Sequence, residues 1–392
     1  MKLEHLTIEN FRGIEHLELS FLDEVGLPRD ISIVAGPNTS GKTTILDAIA
    51  LCLMPVTSGY RPRGGLSMTA SSLVRSGAAR ARVEARVWFD DDEIQATRDV
   101  MERSGNPFAR SLPNENLIEV SWEFPDDQGG DQTGHIRCNP PNGWHLFQGR
   151  RVLAKFLHVP ELGPKLFERL GGLVMFDQQR TGLSMHVAPR EQAVLGDLLV
   201  SDQNGVMRKD DATGRSVESD ARRDVLTKNP RTILTTLAFR ALLPQTSKAT
   251  EKEDFARLKT LYEHVCRPHR IGDLINTEHG LDMEFWDDRG KYLYDGLSGG
   301  QEMILLMLLQ FATERIHRSI VLIDELELHL HPLWQDRLLV SLPKLGEDNQ
   351  FFITTHSTHI RDTTDPKSHF RTGDLSVGVG APAGIHGAES DG

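Results

Sequence analysis

The alternation of apolar and polar residues predicts antiparallel strands in the first third of the chain. Residues 3–9 (LEHLTIE) and 16–21 (HLELSF) alternate as half-buried strands do, and 10–14 (NFRGI) between them contains a glycine suited to a turn. The alternation returns at 83–89 (VEARVWF) and 118–124 (IEVSWEF). The last two segments predict an antiparallel β-layer attached to the rest of the fold.

Four short runs have consecutive apolar residues rather than a two-residue alternation, which is typical of parallel strands buried on both faces. They are 30–35 (DISIVA), 173–176 (LVMF), 320–323 (IVLI) and 350–355 (QFFITT). The acidic segment 90–93 looks like a turn between strands of the other layer. The runs predict the core sheet of an α/β fold.

Helical spacing dominates the second half of the chain. Residues 185–295 are predicted to be mainly helical, with three- and four-residue apolar steps at 232–243 and 254–266 and a hairpin at 281–293. A helix with a broad apolar face is predicted at 299–316. No heptad pattern is sustained, which excludes a long coiled coil. The Asp-, Arg- and Gly-rich segment 201–223 is predicted to be mobile.

The segment GPNTSGKTT (36–44) follows the first buried strand and precedes a helical pattern. Gly36 and Gly41 allow the backbone to curl, so that successive N–H groups point at phosphates. Lys42 places a positive charge near the β- and γ-phosphates, and Thr43 offers a hydroxyl ligand to Mg²⁺. This strand, loop and helix predict binding of ATP or GTP.

A second glycine-rich turn, LSGGQE (297–302), opens another predicted helix. Its Ser298, Gly299 and Gly300 would present free N–H donors and a positive dipole end. Two such loops cannot easily close on one nucleotide within a compact subunit. We therefore predict that this turn meets a nucleotide held by a second copy of the chain.

Polar residues follow three of the buried strands. Asp324 is expected in the Mg²⁺ shell, and Glu325 is expected to orient or deprotonate the attacking water. His356 follows the last strand, where a contact with the γ-phosphate is favoured over a capped core histidine. Gln178 and Gln179 follow 173–176, and either one could ligate Mg²⁺ or simply end the strand in solvent.

Charge and composition narrow the class of partner. The net charge of −12 argues against an all-over basic DNA-binding surface. The arginine-rich segment 61–86 is either a solvated strand edge, which we favour slightly, or a local nucleic-acid contact.

No apolar run reaches the roughly 18 residues of a membrane span, and the start lacks a signal-peptide core. The widely spaced Cys52, Cys138 and Cys266 suggest buried thiols in a reducing cytosol, so a cytoplasmic protein without a membrane partner is expected.

The chain resembles the ABC-type P-loop ATPases of the RecF, SMC and OLD group, especially their AAA-labelled members. The resemblance is carried by a set of motifs: LTIENFRGI, GPNTSGKTT, a strand-end glutamine, LSGGQ, IVLIDELELHLHP and ITTHS. The resemblance covers roughly 1–90 and 290–360. It implies an α/β ABC-ATPase head with a mixed parallel core sheet, an antiparallel β-layer and a helical insertion. The expected parts are an N-terminal lobe (1–180), the insertion (181–295), a C-terminal lobe (296–365) and a flexible tail (366–392).

The resemblance also implies ATP and Mg²⁺ as cofactors and a head-to-head homodimer or higher oligomer with composite sites. The ATP-binding residues it implies are Arg12, Gly36, Asn38, Ser40, Gly41, Lys42, Thr43, Thr44, Ser298, Gly299 and Gly300. The catalytic residues are Lys42, Glu325 and His356. The metal-binding residues are Thr43, Asp324 and one of Gln178 and Gln179.

The chain differs from SMC-like and OLD proteins in two ways, and these differences narrow the expected function. The long coiled coil of SMC-like proteins is missing, and no acidic cluster of the OLD nuclease kind follows His356. A nuclease or toxin effector is therefore expected as a separate polypeptide, as in Septu and certain retrons. We expect an ATPase acting as sensor or regulatory subunit of an anti-phage complex. The alternative is a RecF-like repair ATPase that clamps duplex DNA, which leaves DNA or RNA as a further ligand.

Overall fold

The structure is a computed structural model, and its core is a six-stranded sheet with the order β14-β3-β13-β12-β7-β8. The residues it describes are 1–37, 40–58, 70–125, 134–154, 166, 168–176, 183–184, 230–242, 249–278 and 280–371. The strands are β3 Ile31–Ala35, β7 Leu173–Phe176, β8 Leu183–Ser184, β12 Ile320–Ile323, β13 Gln350–Thr355 and β14 His369–Arg371. All pairings are parallel except that of β7 with β8. The predicted mixed core sheet is confirmed.

A five-stranded antiparallel sheet forms the predicted β-layer, with the order β2-β1-β4-β5-β6. Its strands are β1 Lys2–Phe11, β2 Ile14–Ser20, β4 Ala81–Trp88, β5 Leu117–Phe124 and β6 His135–Asn139. Because β4 lies in the middle of this sheet, the interpretation of Arg82 and Arg86 as part of a strand edge is wrong. Residues 61–69 of the arginine-rich segment lie outside the described residues. Arg82 lies 2.6 Å from Glu84, and Arg86 lies 3.7 Å from Glu119. The arginines of this strand therefore lie on a sheet face of mixed charge.

A third, three-stranded sheet lies within the segment predicted to be mainly helical. It consists of β9 Arg270–Thr277, β10 Gly280–Asp287 and β11 Gly290–Leu293. The pairing of β10 with β11 is the predicted hairpin. Strand β9 was not predicted, because its burial lacks a regular two-residue alternation.

The α-helices among the described residues are α1 Lys42–Ser58, α2 Asp91–Arg103, α3 Gly149–Ala154, α4 Pro230–Leu242, α5 Ala249–Cys266, α6 Gly299–Glu314, α7 Pro332–Ser341 and α8 Thr358–Thr363. Helix α2 replaces the turn predicted at 90–93. The side chain of Asp90 accepts a hydrogen bond from the backbone N–H of Glu93 at 2.7 Å, which is an N-cap. The acids that resembled a turn are the first turn of a helix, where they complement its dipole.

The two faces of the core sheet carry different helices. Val34 and Phe352 point into the core that contains α1, which lies between this sheet and the antiparallel one. Ile33 and Ile353 point into the core that contains α4, α5 and α6. Consequently α1 and α6, which follow the two glycine-rich turns, pack on opposite faces of one sheet.

Three further expectations concern the cysteines, membrane-spanning helices and the C-terminal segment. Cys52 and Cys266 are buried as expected, and burial raises the pKa of the Cys138 thiol to about 12. Among the described helices, none has both the length and the apolar character to cross a membrane. Strand β14 lies inside the segment expected to be a tail and pairs with β3. The predicted mobile segment 201–223 and residues 372–392 lie outside the described residues.

Candidate nucleotide-binding and hydrolysis site

The phosphate-loop residues lie between β3 and α1, at the carboxyl edge of the core sheet. The Lys42 ammonium donates hydrogen bonds to the carbonyls of Gly36 (3.0 Å) and Pro37 (2.8 Å), and Lys42 is only 5% exposed. Gly41 has φ +91°, a left-handed conformation that favours glycine. Ser40 donates its backbone N–H to the Pro37 carbonyl, and Thr44 lies in the first turn of α1. The loop thus places a lysine and a helix N-terminus together, which suits an anionic phosphate.

Three oxygen-bearing side chains converge beside this loop. The Thr43 hydroxyl lies 3.1 and 3.2 Å from the two carboxylate oxygens of Asp324. The Thr354 hydroxyl donates to Asp324 Oδ1 at 2.5 Å, and Asp324 is 3% exposed. A hydroxyl and a carboxylate at the head of a phosphate loop match the oxygen ligands that Mg²⁺ takes. The donor set at Thr43 and Asp324 therefore fits the predicted metal.

Glu325 turns the chain sharply out of β12. Its φ of 49° is left-handed, which costs a non-glycine residue roughly 1 kcal/mol. Its backbone N–H donates to the Thr354 hydroxyl at 2.8 Å, and its side chain is about one-fifth exposed. This backbone turn leaves the carboxylate at the sheet edge, beside Asp324 rather than inside the core.

His356 follows β13 and faces a carboxylate that sequence reasoning missed. Its Nδ1 lies 2.9 Å from Glu327 Oε1 and 4.0 Å from Glu325 Oε1. Glu327 Oε1 also accepts the backbone N–H groups of His356 (2.6 Å) and Ser357 (3.1 Å). The third acid in DELE, two residues after Glu325, was the only sequence signal for this contact.

Arg12 lies beside the phosphate-loop helix, where it forms an ion pair with Asp47 on α1. Asp47 is 6% exposed, and burial raises its pKa, an effect opposed by Arg12 and reinforced by nearby Asp324. Sequence reasoning also missed Asp47, although a lone acid in the apolar run ILDAIALCL was a visible signal. The ion pair links the first turn of the chain to the helix that begins at Lys42.

The second glycine-rich turn is held by a capping box at the start of α6. The Ser298 hydroxyl accepts from the N–H of Gln301 (3.4 Å), and the Gln301 side chain accepts from the N–H of Ser298 (2.7 Å). Ser298 and Gly299 are exposed, whereas Gly300 is buried against the His329 carbonyl. An added Cβ at Gly300 would lie 2.5 Å from that oxygen.

The structure therefore gathers some of the predicted residues and separates others. Lys42, Thr43, Asp324, Glu325 and His356 follow the ends of neighbouring parallel strands, the usual position of a ligand in such sheets. The Ser298 turn begins a helix on the other face of the sheet. Of the remaining predicted residues, Asn38, Gln178 and Gln179 lie outside the described residues.

Comparison with known proteins identifies related families. A family model described as "AAA domain, putative AbiEii toxin, Type IV TA system" matches residues 31–362. A second model, described as "AAA domain", matches residues 1–58. A solved structure described as the SmcHead bound to the C-winged helix domain of ScpA superposes with a TM-score of 0.51 at 15% identity, covering 93% of this chain and 92% of that one. That likeness shows the fold alone, which is that of an Smc head.

Three curated relatives share shorter segments. The Retron Ec83 probable ATPase of Escherichia coli is 42% identical over 74 residues, 18% of this chain and 13% of that protein. The DNA double-strand break repair Rad50 ATPase of Methanopyrus kandleri is 33% identical over 103 residues, 26% and 10% of the two chains. The Septu protein PtuA of Bacillus thuringiensis is 41% identical over 44 residues, 11% of each. The chain thus matches only about a tenth of the length of these relatives.

Proposed function

The chain belongs to the family described as "AAA domain, putative AbiEii toxin, Type IV TA system", and on that premise we propose that it hydrolyses ATP between two copies of itself. The proposal for the reaction is supported by the convergence of Lys42, Thr43, Asp324, Glu325 and His356 at one sheet edge. Phosphoryl transfer asks a protein mainly for positioning and charge stabilisation, which these groups can provide.

Each residue has a proposed role in the reaction. The phosphate-loop N–H groups and Lys42 hold the β- and γ-phosphates, while Thr43 and Asp324 would hold Mg²⁺, which when bound neutralises phosphate charge. The Glu325 carboxylate orients the attacking water and accepts its proton. His356 contacts the γ-phosphate as its charge develops. Arg12, Gly36, Asn38, Ser40, Gly41 and Thr44 complete the cradle, and one of Gln178 and Gln179 would be a further ligand of Mg²⁺.

The proposal that two copies share the nucleotide rests on one observation. Ser298 and Gly299 are exposed at the start of α6, while the phosphate loop begins α1 on the opposite face of the same sheet. A capped helix N-terminus held rigid and open to solvent is suited to an anion from outside the subunit. In a head-to-head dimer, Ser298, Gly299 and Gly300 of each copy would close the other copy's site.

Dimerisation is tested with Glu325→Gln, which keeps the shape of the site and removes the carboxylate that activates water. Light scattering should show monomers without nucleotide and dimers with ATP and Mg²⁺. The matched control is Lys42→Ala, which should stay monomeric in both conditions because the phosphates lose their cation. A Glu325→Gln protein that stays monomeric with saturating, bound ATP would exclude the shared site.

The wider role proposed is that of a sensor or regulatory subunit in an anti-phage complex with a separate nuclease or toxin effector. It is supported by the similarity to a retron ATPase and to Septu PtuA. Purification of the tagged chain from its native host, followed by mass spectrometry, should recover one nuclease- or toxin-like protein in fixed ratio. Recovery of replication or repair proteins instead would contradict this role.

A second candidate function is an ATP-driven clamp on duplex DNA. It is favoured by the similarity to a protein named a DNA double-strand break repair Rad50 ATPase. Under this hypothesis, ATP should tighten binding to a duplex, and the affinity should fall steeply with salt. Binding that is unaffected by ATP and insensitive to salt would exclude the clamp.

A further inference from the structure

Glu327 is a buried carboxylate whose bonds all lead to the segment after β13. It is 7% exposed, and its Oε1 oxygen receives the N–H groups of His356 and Ser357 and lies 2.9 Å from His356 Nδ1. A carboxylate taken out of water is costly unless such donors compensate it. The two backbone bonds compensate Oε1, whereas Oε2 is buried with no hydrogen-bond partner among the described residues. The contact of Oε1 with His356 Nδ1 restricts the orientation of that imidazole.

We infer that Glu327 is the positioning residue of His356, a role that deepens the proposed ATPase function and rests on it. The carboxylate accepts the Nδ1 proton of His356, which fixes both the tautomer and the orientation of the ring. With Nδ1 engaged, Nε2 is the nitrogen left to meet the γ-phosphate. Glu327 itself touches neither nucleotide nor water in this arrangement; it acts through His356.

The neighbouring acid is not an equivalent partner for this imidazole. Glu325 Oε1 lies 4.0 Å from His356 Nδ1, beyond hydrogen-bond distance, whereas Glu327 Oε1 lies at 2.9 Å. The left-handed φ of Glu325 separates the two side chains by turning the chain between them. The two acids therefore have different proposed roles: Glu327 orients the histidine, and Glu325 orients the attacking water.

The same short loop carries a contact to the second glycine-rich turn. Two residues after Glu327, the His329 carbonyl packs against Gly300 of helix α6. The Leu326 N–H donates to the Thr354 carbonyl at 3.3 Å, which joins the loop to β13. The loop that orients His356 is thus in contact with the helix proposed to reach the second copy's nucleotide.

A double-variant cycle on ATP turnover tests the positioning role. We expect Glu327→Gln to lower kcat by about 10- to 100-fold, the usual effect of removing a carboxylate that orients an imidazole, with little change in the KM for ATP. His356→Ala should lower kcat at least as much. If Glu327 acts through His356, adding Glu327→Gln to His356→Ala should change kcat by less than about twofold. If the kcat losses of the two single variants multiply in the double variant, the inference is overturned.

The matched control uses a second carboxylate–imidazole pair close by. His359 Nε2 lies 2.9 Å from Asp336 Oδ1, and both residues lie outside the reaction site. Asp336→Asn should leave kcat unchanged. A loss equal to that of Glu327→Gln would show that the turnover responds to any such pair in this region, and would overturn the specific role of Glu327.

A spectroscopic readout separates this inference from the ATPase proposal. In protein with ¹⁵N-labelled histidine, the His356 signal is assigned by its loss in His356→Gln. Wild type should show a protonated Nδ1, and Glu327→Ala should shift His356 towards the Nε2–H form that a free imidazole prefers. An Nδ1 signal unchanged in Glu327→Ala would overturn the pairing. Absent ATP turnover in wild type would instead refute the ATPase proposal, while the tautomer still decides the pairing.

Discussion

Replacing Gly300 by alanine should destabilise the protein, even though alanine is the better helix former. An added Cβ would lie 2.5 Å from the His329 carbonyl oxygen and 3.5 Å from Trp334 Cζ3. Since such contacts are not found under 3.0 Å, the loop or the helix must move by at least 0.5 Å. Overpacking of this kind costs about 1–3 kcal/mol, and the gain in helix propensity offsets at most about 1 kcal/mol. With the full offset, the net loss is up to about 2 kcal/mol.

The adjacent glycine is the matched control for this loss. An added Cβ at Gly299 would meet no atom within 4 Å. Gly299→Ala should therefore leave the free energy of unfolding unchanged or raise it by up to about 1 kcal/mol. Urea unfolding of both variants and wild type at one protein concentration measures the difference. Equal destabilisation by the two substitutions would refute the packing argument.

The same pair of variants separates packing from nucleotide binding. Gly299 is exposed and is proposed to approach the second copy's ATP, so Gly299→Ala should weaken ATP-dependent association without lowering stability. Gly300→Ala should slow turnover even where association persists, because it displaces the loop that carries Glu325 and Glu327. Light scattering and steady-state turnover, measured on the same preparations, distinguish the two effects. If Gly299→Ala associates as well as wild type, this glycine does not contact the second copy's nucleotide.

Three further predictions concern single groups. Lys42→Ala should abolish ATP binding in calorimetry, because the phosphates lose the cation that the loop holds beside them; tight binding would contradict its role. Arg12→Met should cost about 1–3 kcal/mol, because it leaves buried Asp47 unpaired. This loss of stability should grow with rising pH, because the pKa of Asp47, already raised by burial, rises further without Arg12 and its deprotonation then opposes folding. Adding Asp47→Asn should remove this pH dependence. Burial and nearby arginines lower the pKa of His317 to about 4, so its contribution to stability is present above pH 6.5 and lost as the pH falls towards 4. His317→Gln should remove this part of the pH dependence of unfolding. An unchanged slope of the free energy of unfolding against pH would contradict the prediction.

The strands that sequence predicted best are those buried on both faces. The limits of β7, β12 and β13 coincide with the predicted 173–176, 320–323 and 350–355, because a strand buried on both faces has an apolar run that does not alternate, even where β13 adds Gln350 and two threonines at its ends. Helix α2 was missed because an acid at an N-cap and an acid in a turn look alike without the structure. Strand β9 was missed because its exposure depends on neighbours brought close by the fold rather than on its own pattern.

In the site, sequence predicted residues whose chemistry is set by local spacing and missed those defined by a distant partner. Lys42 and Thr43 follow from a nine-residue segment, and the capping box of Ser298 spans four residues. Asp47, by contrast, pairs with an arginine 35 positions earlier, and Glu327 bonds to N–H groups beginning 29 positions later. A single substitution at either acid would show only that the position matters. Because the missing information is a pairing, the double variants described above are the measurements that can recover it.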